Sequence, residues 1–296
     1  MYLTIFTPTY NRGYTLSRLY HSLQNQTCYD FEWIIVDDGS TDNTTLLVNE
    51  WVNENNPFQI RYFRTENRGK SMAHNLGARK ARGVLFINVD SDDWLLDASV
   101  EIIINSWVSH EASSISGMIA LRGFPDGSCR TIVNDKVVEV DTLYNYFTKK
   151  RLSGEMLFVL RTEHLRKHEF PSFGNEKFVP DGYLYIDMFG KSKQLLLIKT
   201  VVYLSEYLDD GMTKSNFRNL TASPLGYKAY CYKRFEWHKK LREKFFDAVR
   251  LDAILLYLSG THLHEIPTNY MFIIAMPFGW LMYIKRFRKW KNTLIK

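Results

Sequence analysis

An α/β fold, with a mainly parallel sheet flanked by helices, is what this sequence predicts, and three observations lead there. Short apolar runs rich in β-formers recur through the first hundred residues, at Leu3 to Phe6, Trp33 to Val36, Ile60 to Phe63 and Val84 to Val89. Each run ends in a polar loop, and stretches with helical spacing lie between them. Strand and helix alternating at this length pair in parallel through right-handed crossovers. The chain has 296 residues, 45% hydrophobic and 15% aromatic, enough to bury a sizeable core.

Taken in order, the first run leads into TPTYNR at 7–12. The next helix follows from Leu16, Leu19, Tyr20 and Leu23, which fall at i, i+3, i+4 and i+7 on one apolar face. The second run ends in DDGSTD at 37–42, where Ser40, Thr41 and Asp42 are good helix-capping residues. The third ends in ENRGKSMAHN at 66–75, and Arg79, Lys80 and Arg82 read as a solvated helix end. The fourth delivers DSDD at 90–93, three carboxylates behind a buried-type strand. Asp93 stands open between a helix-entry charge and a site residue.

Open parallel sheets bind ligands outside the carboxyl ends of their strands, and these four loops all lie there. Each has a use if the ligand is a nucleoside diphosphate. Thr7, Pro8 and Thr9 are expected to turn the chain tightly and leave backbone groups and hydroxyls for a base or ribose. Asp38 sits at the tip of the second strand, as a ribose-binding acid does, while the missing GxGxxG fingerprint argues against dinucleotides. Asp90 and Asp92 are two apart, so an extended segment puts both side chains on one side, able to share a divalent metal with phosphate oxygens. Arg68 and Lys70 add cations for the diphosphate.

The ordered set TPTYNR, VDDGSTD, ENRGKSMAHNLGARKARG and DSDDW resembles the N-terminal half of family 2 glycosyltransferases of the capsule and exopolysaccharide type. The likeness is close over roughly residues 1–100 and weaker to about 215. It implies the GT-A fold, a Rossmann-like sheet, and inverting transfer from a nucleotide sugar, usually of UDP, with Mn2+ or Mg2+. On this resemblance Asp92 is the main metal ligand and Asp90 lies near the donor as its helper. Tyr10, Asn11, Arg12, Asn75 and Ser91 join the donor site. Family members supply the base from an acidic pair, and here FVPDGYLYIDM at 178–188 has proline in the first acidic place. Asp181 aligns with the base and Asp187 stands in reserve. YLDDGMTKS at 207–215 resembles the loop that closes over donor and acceptor.

The expected organisation is a catalytic domain over 1–220, with a nucleotide-binding half (1–100) and an acceptor half (101–220), then a helical region over 221–296. The acceptor is expected to be a glycan or a lipid-linked glycan. Other classes fit less well. A nucleotidyltransferase also uses paired aspartates but carries a glycine-rich basic loop after its first strand, and TPTYNRGYT has one arginine and one glycine. A non-catalytic nucleotide-sugar-binding module would need no base.

The formal charge of +6 favours an anionic partner. YKAYCYKRFEWHKKLREKFF at 227–246 reads as one basic amphipathic helix, and the uncharged run 270–284 precedes Lys285, Arg286, Arg288, Lys289 and Lys291. That run is interrupted by Pro277 and Gly279 and falls short of the about 20 residues a span needs. Peripheral contact with the cytoplasmic membrane face is therefore expected, with packing on the catalytic domain as the alternative; nucleic acid is not expected as a partner. The three widely spaced cysteines, Cys28, Cys129 and Cys231, and the lack of a leader pattern suggest a cytoplasmic protein with reduced thiols.

Overall fold

A computed structural model describes residues 1–110, 114–206, 208, 216–259 and 270–288. The chain divides into two compact units, Met1–Glu169 with Met188–Tyr207, and Phe170–Asp187 with Leu208–Lys296.

The first unit opens with β1 (Leu3–Thr9), α1 (Gly13–Gln24), β2 (Phe31–Asp37), α2 (Thr44–Asn53), β3 (Gln59–Arg64), α3 (Lys70–Lys80) and β4 (Leu85–Asn88). These strands lie in the order β3-β2-β1-β4, every pair parallel. The helical face Leu16, Leu19, Tyr20 and Leu23 is buried, and Tyr20 stacks on Trp51 at 4.4 Å between ring centroids. One expectation is corrected. Thr7, Pro8 and Thr9 do not turn the chain, because β1 stays paired with β2 as far as Thr9 opposite Asp37. β4 stops pairing at Asn88 opposite Phe6, so Pro8 has one strand neighbour and its missing N–H is tolerated. The turn comes at Asn11, whose φ is 52°.

The unit continues through β5 (Trp94–Leu95), α4 (Ser99–Val108), β6 (Ile115–Gly123), β7 (Thr131–Val133), β8 (Val140–Thr142), α5 (Leu143–Thr148), β9 (Leu152–Gly154), β10 (Met156–Arg161) and α6 (Thr162–Leu165). After α7 (Gly182–Phe189) comes β11 (Gln194–Leu204). The sheet order β3-β2-β1-β4-β10-β6-β11-β5 is parallel in its first half and mixed beyond it. β10 runs antiparallel to β4 and β6, whereas β6 and β11 are parallel. β7 and β9 form a separate two-stranded ribbon. Strands buried on both faces explain the near-continuous apolar runs: β2 and β1 are buried at every position.

The second unit contains α8 (Asn216–Ala222), α9 (Pro224–Trp237), α10 (Leu241–Ser259) and α11 (Tyr270–Met282), the last followed by a π-helical turn over Tyr283–Phe287. Residues 227–246 are not one helix. His238 turns extended after Trp237, and its ring lies 3.3 Å from Asp247 and 3.1 Å from Glu243 of α10. Nor does the division fall at 220. The segment around Glu176 belongs with the later helices because Glu176 accepts the first-turn N–H groups of Leu225 and Gly226 at 2.9 and 2.8 Å, capping α9. Gly226 lets the backbone of Phe178 approach where a Cβ would come within 2.3 Å of its carbonyl oxygen. Among the described residues no helix is long and apolar enough to cross a membrane. Apart from Leu208, the expected closing loop at 207–215 lies outside the described residues, as do Lys289 and Lys291.

Candidate active site

The loops at the carboxyl ends of β1 and β2 are tied together. Asn11 accepts the N–H groups of Thr41 (2.7 Å) and Asp42 (3.3 Å) through Oδ1, and its own N–H donates to Ser40 Oγ at 2.8 Å. Asp42 accepts from the backbone of Thr44 at 3.0 Å and Gly13 at 3.2 Å, which joins the starts of α2 and α1. Asp37 is fully buried and accepts from the Ser40 N–H (2.7 Å) and the Tyr62 hydroxyl (2.6 Å). Asp38 accepts the N–H groups of Arg68 at 2.8 Å and Gly69 at 2.7 Å. Gly69, with φ of 91°, starts α3, so Asp38 fixes the loop that carries Arg68 and Lys70.

Lys70 reaches across to Asp90, with its ammonium 2.8 Å from Oδ1, and the Asn88 amide donates to the same oxygen at 2.9 Å. Burial pushes the Asp90 carboxyl up, but the charge and hydrogen bond of Lys70 outweigh it and hold the group at about 2. Asp92 is different. Burial, and then the negative charge of Asp90, raise it above its ordinary value. Arg18 of α1 donates to the Asp92 carbonyl, stacks 3.8 Å from the Trp94 ring centroid and pairs with Glu206 at 2.7 Å, so the DSDDW turn is clamped from outside.

Asp93 is neither a helix-entry charge nor a solvent-facing site residue. It is 4% exposed, six residues ahead of α4, and is bound by Arg122 at 2.8 Å and by the Tyr203 hydroxyl at 2.6 Å. Burial pushes its carboxyl up to about 7 against the pull of Arg122. The same Tyr203 oxygen accepts the Asp90 N–H at 3.1 Å. Arg18, Arg122 and Tyr203 escape a reading of the sequence, since they lie far along the chain from DSDD and within apolar helix or strand runs.

The other expected residues divide. Thr7 is buried and its hydroxyl accepts from Trp33 Nε1 at 2.9 Å, so it is built into the sheet, whereas Thr9 keeps at the strand end a buried hydroxyl without a hydrogen-bond partner among the described residues. Pro8 is a strand residue. Tyr10 is exposed, and Arg12 bonds to the Tyr14 hydroxyl. Asn75 and Ser91 are buried, Arg68 is exposed. His74 packs edge-on to Phe6 and Phe86, and burial and the nearby Lys70 push it down to about 3, so it is a neutral core residue. Asp181 and Asp187 belong to the second unit. Asp181 is exposed at the start of α7, and Asp187 is ion-paired to Lys233, whose ammonium lies 4.7 Å from the Tyr183 ring centroid.

A divalent metal fits the DSDD turn in a limited way. Asp92 is a half-buried carboxylate to which no side chain donates among the described residues, while Asp90 already carries the Lys70 cation. No group of three His, Cys, Asp or Glu able to hold a metal occurs among the described residues. Substrate phosphates and water would have to complete the shell, as is usual where Mg2+ is held by one or two carboxylates.

Residues 4–169 match the model of a family described as "Glycosyl transferase family 2". A Campylobacter jejuni protein named GalNAc(5)-diNAcBac-PP-undecaprenol beta-1,3-glucosyltransferase is 25% identical over 230 residues, 76% of this chain and 71% of its own. A chondroitin synthase of Pasteurella multocida is 30% identical over 171 residues, 55% of this chain, and this match spans only 16% of that synthase. Among solved structures, S. aureus TarS 1-349 in complex with UDP-GlcNAc aligns with a TM-score of 0.59 at 17% identity, covering 96% of this chain and 92% of that one. The mannosyltransferase PcManGT from Pyrobaculum calidifontis, in complex with GDP-Man and Mn2+, aligns with a TM-score of 0.56 at 17% identity, covering 98% and 83%. Both likenesses bear on the fold.

Proposed function

Since the chain belongs to glycosyl transferase family 2 and is a glycan-building transferase with the GT-A fold, we propose that it moves a sugar from UDP, with inversion, to a glycan or lipid-linked acceptor. The observation that carries this is Asp92, a carboxylate without a side-chain donor among the described residues, held beside the Asp90–Lys70 ion pair at the carboxyl end of β4. The UDP-GlcNAc complex of TarS supports the choice of nucleotide, and the name of the Campylobacter relative supports a lipid-linked acceptor. The family match favours neither a nucleotidyltransferase nor a non-catalytic module.

In this reading the donor's nucleotide lies over the tied loops of β1 and β2, with the Thr9 hydroxyl and Asp38 among its partners. Tyr10, Asn11, Arg12, Asn75 and Ser91 shape the same site. Lys70 and Arg68 face the diphosphate. The acceptor oxygen attacks the anomeric carbon, and the bond from that carbon to the diphosphate oxygen breaks, leaving its electron pair on the diphosphate. Asp181 accepts the acceptor's proton. Asp187 is the weaker candidate for that role because its charge is already matched by Lys233. When bound at Asp92, a Mn2+ or Mg2+ ion supplies positive charge to the departing diphosphate. Peripheral attachment at the inner face of the cell membrane belongs to the same proposal, since a lipid-linked acceptor lies there.

Calorimetry with UDP-, GDP- and CMP-sugars, with and without manganese, tests it. The expected result is UDP-sugar binding that strengthens with manganese in the native chain and not in Asp92→Asn. Preference for another nucleotide, or manganese-enhanced binding that survives Asp92→Asn, would overturn the donor or the metal assignment respectively.

A further inference from the structure

Helix α11 has two unlike faces. Met271, Phe272 and Ala275 are buried in a cluster with Cys231, Phe235, Ala248, Val249 and Leu251 of α9 and α10, and Gly279 is buried beside them on the same helix. Gly279 sits so close to α10 that an added Cβ would lie 2.4 Å from the Cβ of Asp252. The opposite side carries Tyr270, Ile273, Ile274, Phe278, Trp280 and Leu281, and Ile273 is 66% and Trp280 55% exposed. Positions 270, 273, 274, 278 and 281 follow the helical repeat, so they form one stripe along the whole helix. One face of α11 thus packs on α9 and α10 of the same unit, and the other is exposed.

Length and charge narrow what covers that stripe. A helix of 13 residues is about 20 Å long, short of the about 30 Å of bilayer hydrocarbon, and its buried half excludes lipid on that side. The stripe ends at Lys285, Arg286 and Arg288, all exposed. No acidic residue occurs from 270 to 288, so a second copy of this stretch would offer those cations nothing to pair with. Phe278 meets Phe245 of α10 with ring centroids 5.3 Å apart, and the neighbouring Phe246 is 46% exposed with the Arg242 guanidinium 5.8 Å from its ring centroid. Trp280 and Tyr270 are the residue types that settle at a membrane–water boundary.

We propose that this face of α11 docks on an anionic lipid bilayer. Ile273, Ile274, Phe278 and Leu281 enter the acyl boundary, and Lys285, Arg286 and Arg288 meet lipid phosphates. The inference rests on the peripheral attachment proposed above and assigns it to particular residues. It would hold the chain at the surface where a lipid-linked acceptor is presented.

The test is sedimentation of the full chain with vesicles of phosphatidylcholine alone or mixed with phosphatidylglycerol, in the absence of any donor or acceptor. The native chain is expected to bind the phosphatidylglycerol vesicles more tightly, with the preference fading as salt rises. Replacing Lys285, Arg286 and Arg288 by alanine should weaken that binding by roughly a hundredfold, about fivefold for each charge. I273E/I274E should abolish it while melting temperature and UDP-sugar binding stay native, since both side chains are exposed. Failure of the native chain to sediment, or native-like sedimentation of both variants, overturns the proposal. So does a native dimer that I273E/I274E converts to monomers without altering lipid binding. Vesicle binding without transfer to any acceptor would count against the proposed reaction and leave this surface standing.

Discussion

The hydroxyl of Tyr203 donates to Asp93 at 2.6 Å, 110 residues away in the chain, and the same oxygen accepts the backbone N–H of Asp90 at 3.1 Å. One oxygen atom thus fixes a side chain and a main chain on either side of Asp92. Removing it in Tyr203→Phe leaves Asp93 paired with Arg122, so the fold should survive with a loss of about 1–2 kcal/mol in urea unfolding. Manganese-dependent donor binding should weaken more than metal-free donor binding, because the turn that aims Asp92 is loosened. Equal effects on the two would mean that Tyr203 supports only the fold.

Asp90 and Asp92 should respond differently to amidation. Asp92→Asn removes the carboxylate that has no side-chain donor among the described residues, and kcat should fall by roughly a hundredfold or more, the scale on which a charge-stabilising group acts. Asp90→Asn breaks the ion pair with Lys70 and leaves that ammonium beside the diphosphate position proposed above. It should raise the metal concentration needed for half-maximal rate while retaining more of kcat than Asp92→Asn. Titrating rate against manganese for both variants checks the order.

For the base, Asp181→Asn is expected to lower kcat by about 10²–10⁴ with little change in donor affinity. Asp187→Asn and Lys233→Met each break the ion pair between the two side chains. If Asp187 only partners Lys233, those two substitutions should give similar, modest effects. A loss in Asp187→Asn matching that of Asp181→Asn, with Lys233→Met near native, would move the assignment to Asp187.

The parallel half of the sheet was legible because each strand of β1 to β4 is a local apolar run and each crossover helix declares one face, as with Leu16, Leu19, Tyr20 and Leu23. The mixed half was not, since β10 and β6 pair antiparallel through contacts some forty residues apart that no local pattern encodes. Thr7 to Thr9 misled for a related reason. Threonine and proline signal a turn, but pairing with β2 overrides that preference and keeps the strand going to Thr9. In the site, the loops were readable as motifs, whereas the division of labour among their acids was not. Asp37, Asp38 and Asp93 acquire their roles from Tyr62, Gly69, Arg122 and Tyr203, which reach them only through the fold.

Asp252 gives the second unit a dependence on pH. It is 3% exposed, neither of its carboxylate oxygens has a hydrogen-bond partner among the described residues, and burial alone pushes its carboxyl up to about 7. Unfolded, the group ionises near 3.8, so between about pH 4 and 7 the unfolded chain gives up a proton that the folded chain keeps. The stabilisation is therefore complete below the unfolded value and is lost as pH rises through about 7, by up to roughly 4 kcal/mol. Asp252→Asn keeps the shape and removes the titration. Its urea midpoint should exceed that of the native chain at pH 8 and approach it at pH 4.5. A native chain whose second unit unfolds at the same denaturant concentration at both values would mean that water or a cation reaches Asp252, and that the carboxylate is charged where it lies.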